Sequence, residues 1–155
     1  MSNELIPQFL TEIGISFEIY PGGDFENEHC KWKMPSIDNR EVEMHADYMP
    51  GGLMCQFKGI LIRVFNPKNR SRVLELANDF NSVNRFSNIV VGHNQRVGPG
   101  FGFVVCSKFL FAMEETPSSI YVAETIQNVH RGIGDFYSLM LEHIDLIPLE
   151  KYEEE

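Results

Sequence analysis

Five histidines and three cysteines are the side chains best suited to chemistry: His29, Cys30, His45, Cys55, His93, Cys106, His130 and His143. In number they suffice for a transition metal, which takes imidazole nitrogen and thiolate sulfur. The spacing argues against one. No C-x-x-C or H-E-x-x-H places two ligands on one ion, so no metal and no other cofactor is expected. The same residues could form a Cys–His nucleophile pair, whose partners need not be neighbours in the chain. Yet each cysteine stands in an apolar, strand-like stretch, and nothing marks an electropositive pocket that would lower a thiol pKa. Scattered and odd in number, the three read as buried thiols of a reducing compartment. A small metal-dependent or Cys/His enzyme is therefore an alternative of another class. The leading reading assigns no catalytic residue.

Two further patterns have a chemical reading. Gly98-Pro99-Gly100-Phe101-Gly102 is glycine-rich, but a phosphate cradle leads into a helix, whose N-terminus attracts the anion. This stretch leads into a strand and holds no Lys, so a hairpin loop is expected. The carboxylates Asp24, Glu26, Glu41, Glu43 and Asp47 read as a solvated sheet face. Its functional use would be to attract a basic partner segment.

The elements that must position these groups start with the clearest one, Asn66–Asn84. Asn66 is a good N-cap and Pro67 fits the first helical position. Val73, Leu76, Ala77 and Phe80 make one apolar stripe. Asn78 and Asn81 share a helix edge; Asn is poor inside a helix, so the two suggest capping or tethering of the strand that follows. Residues 3–14 predict a short amphipathic helix closed by Gly14. Ser16–Tyr20 and Glu26–Met34 alternate as strands, and Pro35–Arg40 reads as a polar loop. In Glu41–Tyr48 the apolar Val42, Met44, Ala46 and Tyr48 oppose Glu41, Glu43, His45 and Asp47, which implies an antiparallel sheet with one wet face. Pro50-Gly51-Gly52 turns into Leu53–Phe65, whose apolar parity changes after Gly59, as a bulge there would allow.

Beyond the central helix, Phe86–Val91 and Phe101–Met113 predict two more strands. Phe101, Phe103, Val105, Phe109 and Phe111 share one face and Val104, Cys106 and Leu110 the other. Apolar residues on both faces mean a central strand or one covered by a partner. Phe101, Phe103, Phe109 and Phe111 are thus candidate interface residues, with core packing the competing role. Thr116-Pro117 opens a last helix that Gly132 and Gly134 interrupt, at about 1 kcal/mol each against Ala, marking a kink or a close backbone contact. The order α-β-β-β(-β)-α-β-β-α implies an α+β domain over 1–147, with helices on one face of an antiparallel sheet. Residues 148–155 form an acidic tail expected to fray.

The length suits one domain with a real core, and twelve Phe fill it. A net charge of −9 disfavours nucleic acid and anionic membrane surfaces, which need a basic face. The N-terminus lacks a basic n-region and a long apolar run, and no stretch approaches the ~18 apolar residues of a spanning helix. A cytoplasmic protein is expected.

The segment Leu74-Glu75-Leu76-Ala77-Asn78-Asp79-Phe80-Asn81, followed by a short strand, a loop, a longer strand and a long final helix, resembles the YbjN family. Its L-E-x-x-N-x-x-N helix lies between two groups of strands, and Asn78 and Asn81 are the matching positions. The resemblance implies a fold like that of the type III secretion chaperones. It also implies a non-enzymatic protein, often a homodimer, that binds other proteins in a regulatory or chaperone-like role. A dedicated type III secretion effector chaperone is the more specialised alternative.

Overall fold

Alternating side chains and tight turns build six antiparallel strands among the described residues of this chain. It is described here by a computed structural model over residues 5–20, 29–48, 54–84, 87–93, 102–111 and 119–146. The strands are β1 (Glu18–Tyr20), β2 (His29–Ile37), β3 (Arg40–Tyr48), β4 (Met54–Phe65), β5 (Asn88–His93) and β6 (Gly102–Phe111). They form one sheet in the order β1-β2-β3-β4-β6-β5. The helices are α1 (Leu5–Glu12), α2 (Arg70–Val83) and α3 (Ser119–His143). The expected α+β class and element order hold, with four strands before α2.

Local chemistry explains the turns. β2 and β3 are joined by Asp38 and Asn39, at φ 50° and 60°, the left-handed values that a two-residue hairpin turn demands and that Asp and Asn tolerate. The stretch expected as a loop from Pro35 to Arg40 is therefore mostly strand. The ladder shifts only between Met34 and Ile37, where Pro35 has no N–H to give. Gly14 closes α1 at φ 81°, and Ile15 N–H returns to the Leu10 carbonyl at 2.9 Å. Asn66 caps a short 3₁₀ turn, Pro67–Asn69, by accepting from Lys68 N–H, and α2 follows directly.

The core is a single layer between the sheet and the helices. Trp32, Val42, Met44, Phe57 and Leu61 from the strands meet Val73 and Leu76 of α2 and Ile126, Val129, Ile133 and Phe136 of α3. Gly59 lies where α3 crosses the sheet: a Cβ there would stand 2.5 Å from Ile133 Cδ1 and 3.0 Å from Met44 Sδ. The bulge expected at Gly59 is absent. Met44↔Gly59 and Gly59↔Cys106 are ordinary ladder pairs, and the register shift falls between Leu61 and Phe65. Gly59 meets a packing demand, and the change of face follows it by a few residues.

Candidate functional site

The three helices pack on one face of the sheet, so the other face is the natural place to look for function. Strand parity puts Cys30, Trp32, Val42, Met44, Ala46, Cys55, Phe57, Val104 and Cys106 inside. It leaves His29, Lys31, Glu43, His45, Asp47, Lys58, Ile60, Phe103 and Val105 half-buried on the open side, with Val90 52% exposed.

This open face has two halves. Over β2, β3 and β4 it is charged and internally paired. Lys33 Nζ meets Glu41 at 2.6 Å, Lys31 meets Glu43 at 3.3 Å, and Lys58 reaches Asp47 at 3.8 Å. His45 Nε2 lies 2.6 Å from Glu43 Oε1, and His29 lies against His45. The expected acidic face is thus corrected to a balanced one at Glu41, Glu43 and Asp47: β3 supplies these carboxylates, and β2 and β4 lay lysines across them; Asp24 and Glu26 lie outside the described residues. Exposed pairs of this kind contribute little stability each. They do neutralise a surface that would otherwise repel an acidic partner.

The far half is apolar. Glu43 pairs with Ile60, Ile60 with Val105, and Val105 with Val90, so one row runs from charge into a hydrophobic strip across β4, β6 and β5. Phe103 lies beside it over Gly92, whose absent Cβ would meet the ring at 2.7 Å. Of the candidate interface residues, Phe103 is therefore on the open face. Phe109 and Phe111 pair in register with Gln56 and Met54. Phe101 lies outside the described residues, as do Gly98, Pro99 and Gly100. Gly102 opens β6 beneath the Phe65 ring.

The remaining candidates do not converge. His130 Nε2 donates to the Pro35 carbonyl at 2.8 Å, and His143 meets Arg72 at 3.0 Å. Among the described residues, no group of three His, Cys, Asp or Glu is placed to hold a metal. Cys30, Cys55 and Cys106 are buried thiols without disulfides. Burial pushes the Cys55 thiol up to about 11, with the Asp47 charge adding to it. Burial likewise pushes Cys106 up to about 11 against an opposing hydrogen bond with Ser87. Neither is a thiolate nucleophile at neutral pH. A groove of 460 Å³ between α1, β2 and α3 is walled by Ile13, Ile15, Trp32, Met34 and Ile126, with no His, Cys, Asp or Glu in its lining.

Two polar sites hold the scaffold together. Asn78 is exposed on α2. Asn81 reaches β5, where its amide donates to the Ile89 carbonyl at 2.9 Å and accepts from Ile89 N–H at 2.7 Å. Sequence reasoning missed the second site. Tyr137 of α3 donates to Asp38 Oδ2 at 2.6 Å and accepts from buried Arg40 Nε at 3.3 Å, tying the β2–β3 turn to the last helix. Burial, then the bond to Asp38, raises the Tyr137 pKa. The only local clue was an Asp-Asn pair flanked by an aliphatic residue and Arg40. Its partner stands almost a hundred residues away.

Among the described residues, these features define an α+β protein with one helix-covered sheet face and one open face of mixed character. No protein-family model matches the sequence, and no curated protein matches it. The fold itself has known counterparts. YbjN of E. coli, whose description proposes a transcription regulator, superposes with a TM-score of 0.67 over 96% of this chain and 97% of that one, at 13% identity. An uncharacterized protein from Methanothermobacter thermautotrophicus superposes with a TM-score of 0.57 over 94% of this chain and 100% of that one, at 16% identity. The chain has a YbjN-like fold.

Proposed function

We propose that this chain is a non-enzymatic protein-binding module with a regulatory or chaperone-like role, acting in the cytoplasm as a homodimer. The open sheet face takes the partner segment. One observation carries the reading: the row Glu43–Ile60–Val105–Val90 offers a half-exposed apolar strip beside a neutralised charged field. A strip of that kind suits a partner whose apolar side chains dock while its polar groups meet the charged rim. The Cys55 and Cys106 thiols held protonated by burial and the groove lined by no His, Cys, Asp or Glu support the non-enzymatic part. The YbjN-like fold is compatible with a regulatory role but cannot supply it, since fold does not carry function.

The test compares wild type with Val90→Lys in a tagged capture from native lysate, with sedimentation of each protein alone. Val90 is half exposed, so the substitution should change stability by no more than about 0.5 kcal/mol. The reading predicts a stoichiometric protein partner that V90K loses, and a dimer in sedimentation. An exported partner would assign the specialised secretion-chaperone role. Equal capture by both proteins would remove the open face from the account. A retained metal with no partner would restore the enzyme alternative.

A further inference from the structure

His29 and His45 are diagonal neighbours across β2 and β3: His29 pairs with Asp47, and Lys31 pairs with His45. Their rings meet edge to face, with centroids 4.7 Å apart at 70° and His29 Nε2 2.5 Å from His45 Nδ1. Each outer nitrogen meets a carboxylate. His45 Nε2 lies 2.6 Å from Glu43 Oε1, and His29 Nδ1 lies 3.6 Å from Asp47 Oδ2. The second oxygen of Asp47, Oδ1, is buried with no hydrogen-bond partner among the described residues. The other groups around the pair are Lys31 on β2, bound to Glu43; Lys58 on β4, beside Asp47; and Gln56, opposite Asp47. On β1, Glu18 and Tyr20 stand opposite Lys31 and His29.

Donor and acceptor counting then sets where the ring protons lie. Two of these approaches are of hydrogen-bond length, His29 Nε2 to His45 Nδ1 and His45 Nε2 to Glu43 Oε1, and each needs one N–H and one acceptor. Glu43 accepts, so the N–H of His45 is on Nε2, its Nδ1 is the acceptor, and the N–H between the rings comes from His29 Nε2. At 3.6 Å the approach of His29 Nδ1 to Asp47 Oδ2 is too long to demand a hydrogen of its own. A proton added to His45 Nδ1 would point N–H at N–H.

We infer that His29 and His45 share one proton in the contact between their rings, His45 Nδ1 accepting it, and form an acid-sensitive clasp of β2 to β3. A proton on His45 Nδ1 must displace the one already in the contact. The His45 environment agrees: burial first, then the neighbouring His29 and Lys31, lowers its pKa against the pull of Glu43. The sign follows. The unfolded chain takes up this proton near the ordinary imidazole value of about 6.5. The folded chain takes it up only at lower pH. The clasp's stabilisation is therefore full above that ordinary value and is lost as pH falls through the native value.

The test is histidine side-chain NMR and denaturation of the isolated full-length chain between about pH 8 and about pH 5, for wild type and His29→Gln. A Gln at 29 can donate to His45 Nδ1, then turn its amide and accept once His45 is protonated. The expected result is a His45 titration that moves up in H29Q, with a smaller acid-induced fall in the denaturation midpoint than in wild type. Identical His45 titrations in the two proteins would overturn the clasp. So would a change in the wild-type spectrum on adding a chelator, which would mean that the two rings hold a metal. Should H29Q not fold, the wild-type spectrum decides: a His45 protonated on Nε2 with a hydrogen-bonded, unprotonated Nδ1 is expected at neutral pH, and a His45 protonated on Nδ1 there would overturn it. No partner is present, so the outcome is independent of whether the open face docks one.

Discussion

Gly132 and Gly134 look alike in the sequence, two glycines interrupting one helical pattern, yet their surroundings differ. α3 runs unbroken through both. At Gly132 a Cβ would stand 2.6 Å from Cys106 Sγ and 2.7 Å from Ser87 Oγ, so the missing side chain lets α3 settle onto β6. At Gly134 the nearest atom is Ile37 Cδ1 at 3.8 Å, and a methyl group would fit. Gly134→Ala should stabilise the fold by about 1 kcal/mol through helix propensity alone. Gly132→Ala should lose about 1–3 kcal/mol to overpacking. Chemical denaturation of the two variants checks both signs, and a stabilising G132A would contradict the contact. From the sequence, the pair is legible only as a kink or a close approach. Telling one glycine from the other requires knowing that Cys106 and Ser87 lie beneath the first.

At the scale of elements, the helix and strand faces are legible because each has its own period. Val73, Leu76 and Ala77 turn inward from α2, and Val42, Met44 and Ala46 turn inward from β3. What alternation cannot give is register, because pairing joins residues far apart in the chain. That is why β3 alone suggested an acidic surface, while Lys31 and Lys58 from its neighbours neutralise it. It is also why Pro35, inside β2, reads as a loop. The link between α2 and β5 shows what register adds. Asn81 replaces a missing strand neighbour for Ile89, bonding both its N–H and its carbonyl, and so covers part of the edge that β5 would otherwise present for pairing. Asn81→Ala leaves both groups, on a residue only 3% exposed, without that partner. It should cost about 1–3 kcal/mol. Asn78→Ala, on the exposed side of the same helix, should stay within about 0.5 kcal/mol. Denaturation midpoints of the two variants separate the roles, and equal losses would show that Asn81 is not the tether.

Among the described residues, the molecule is a sheet with one face under helices and the other open, and that asymmetry is readable from the wet face of β3. The apolar strip on the open face was only half readable. Phe103 and Val105 could be paired by parity, but which face the helices take is settled by packing across the entire chain. Other apolar side chains are exposed on the helical side, notably Ile120 at 72% and Leu141 at 52%. They offer the rival docking surface. Hydroxyl-radical footprinting of the chain alone and with its captured partner decides between the two. The account predicts that Ile60, Val90, Phe103 and Val105 lose labelling in the complex, while Ile120 and Leu141 are labelled as before. Protection of Ile120 and Leu141 with the open face unchanged would contradict it.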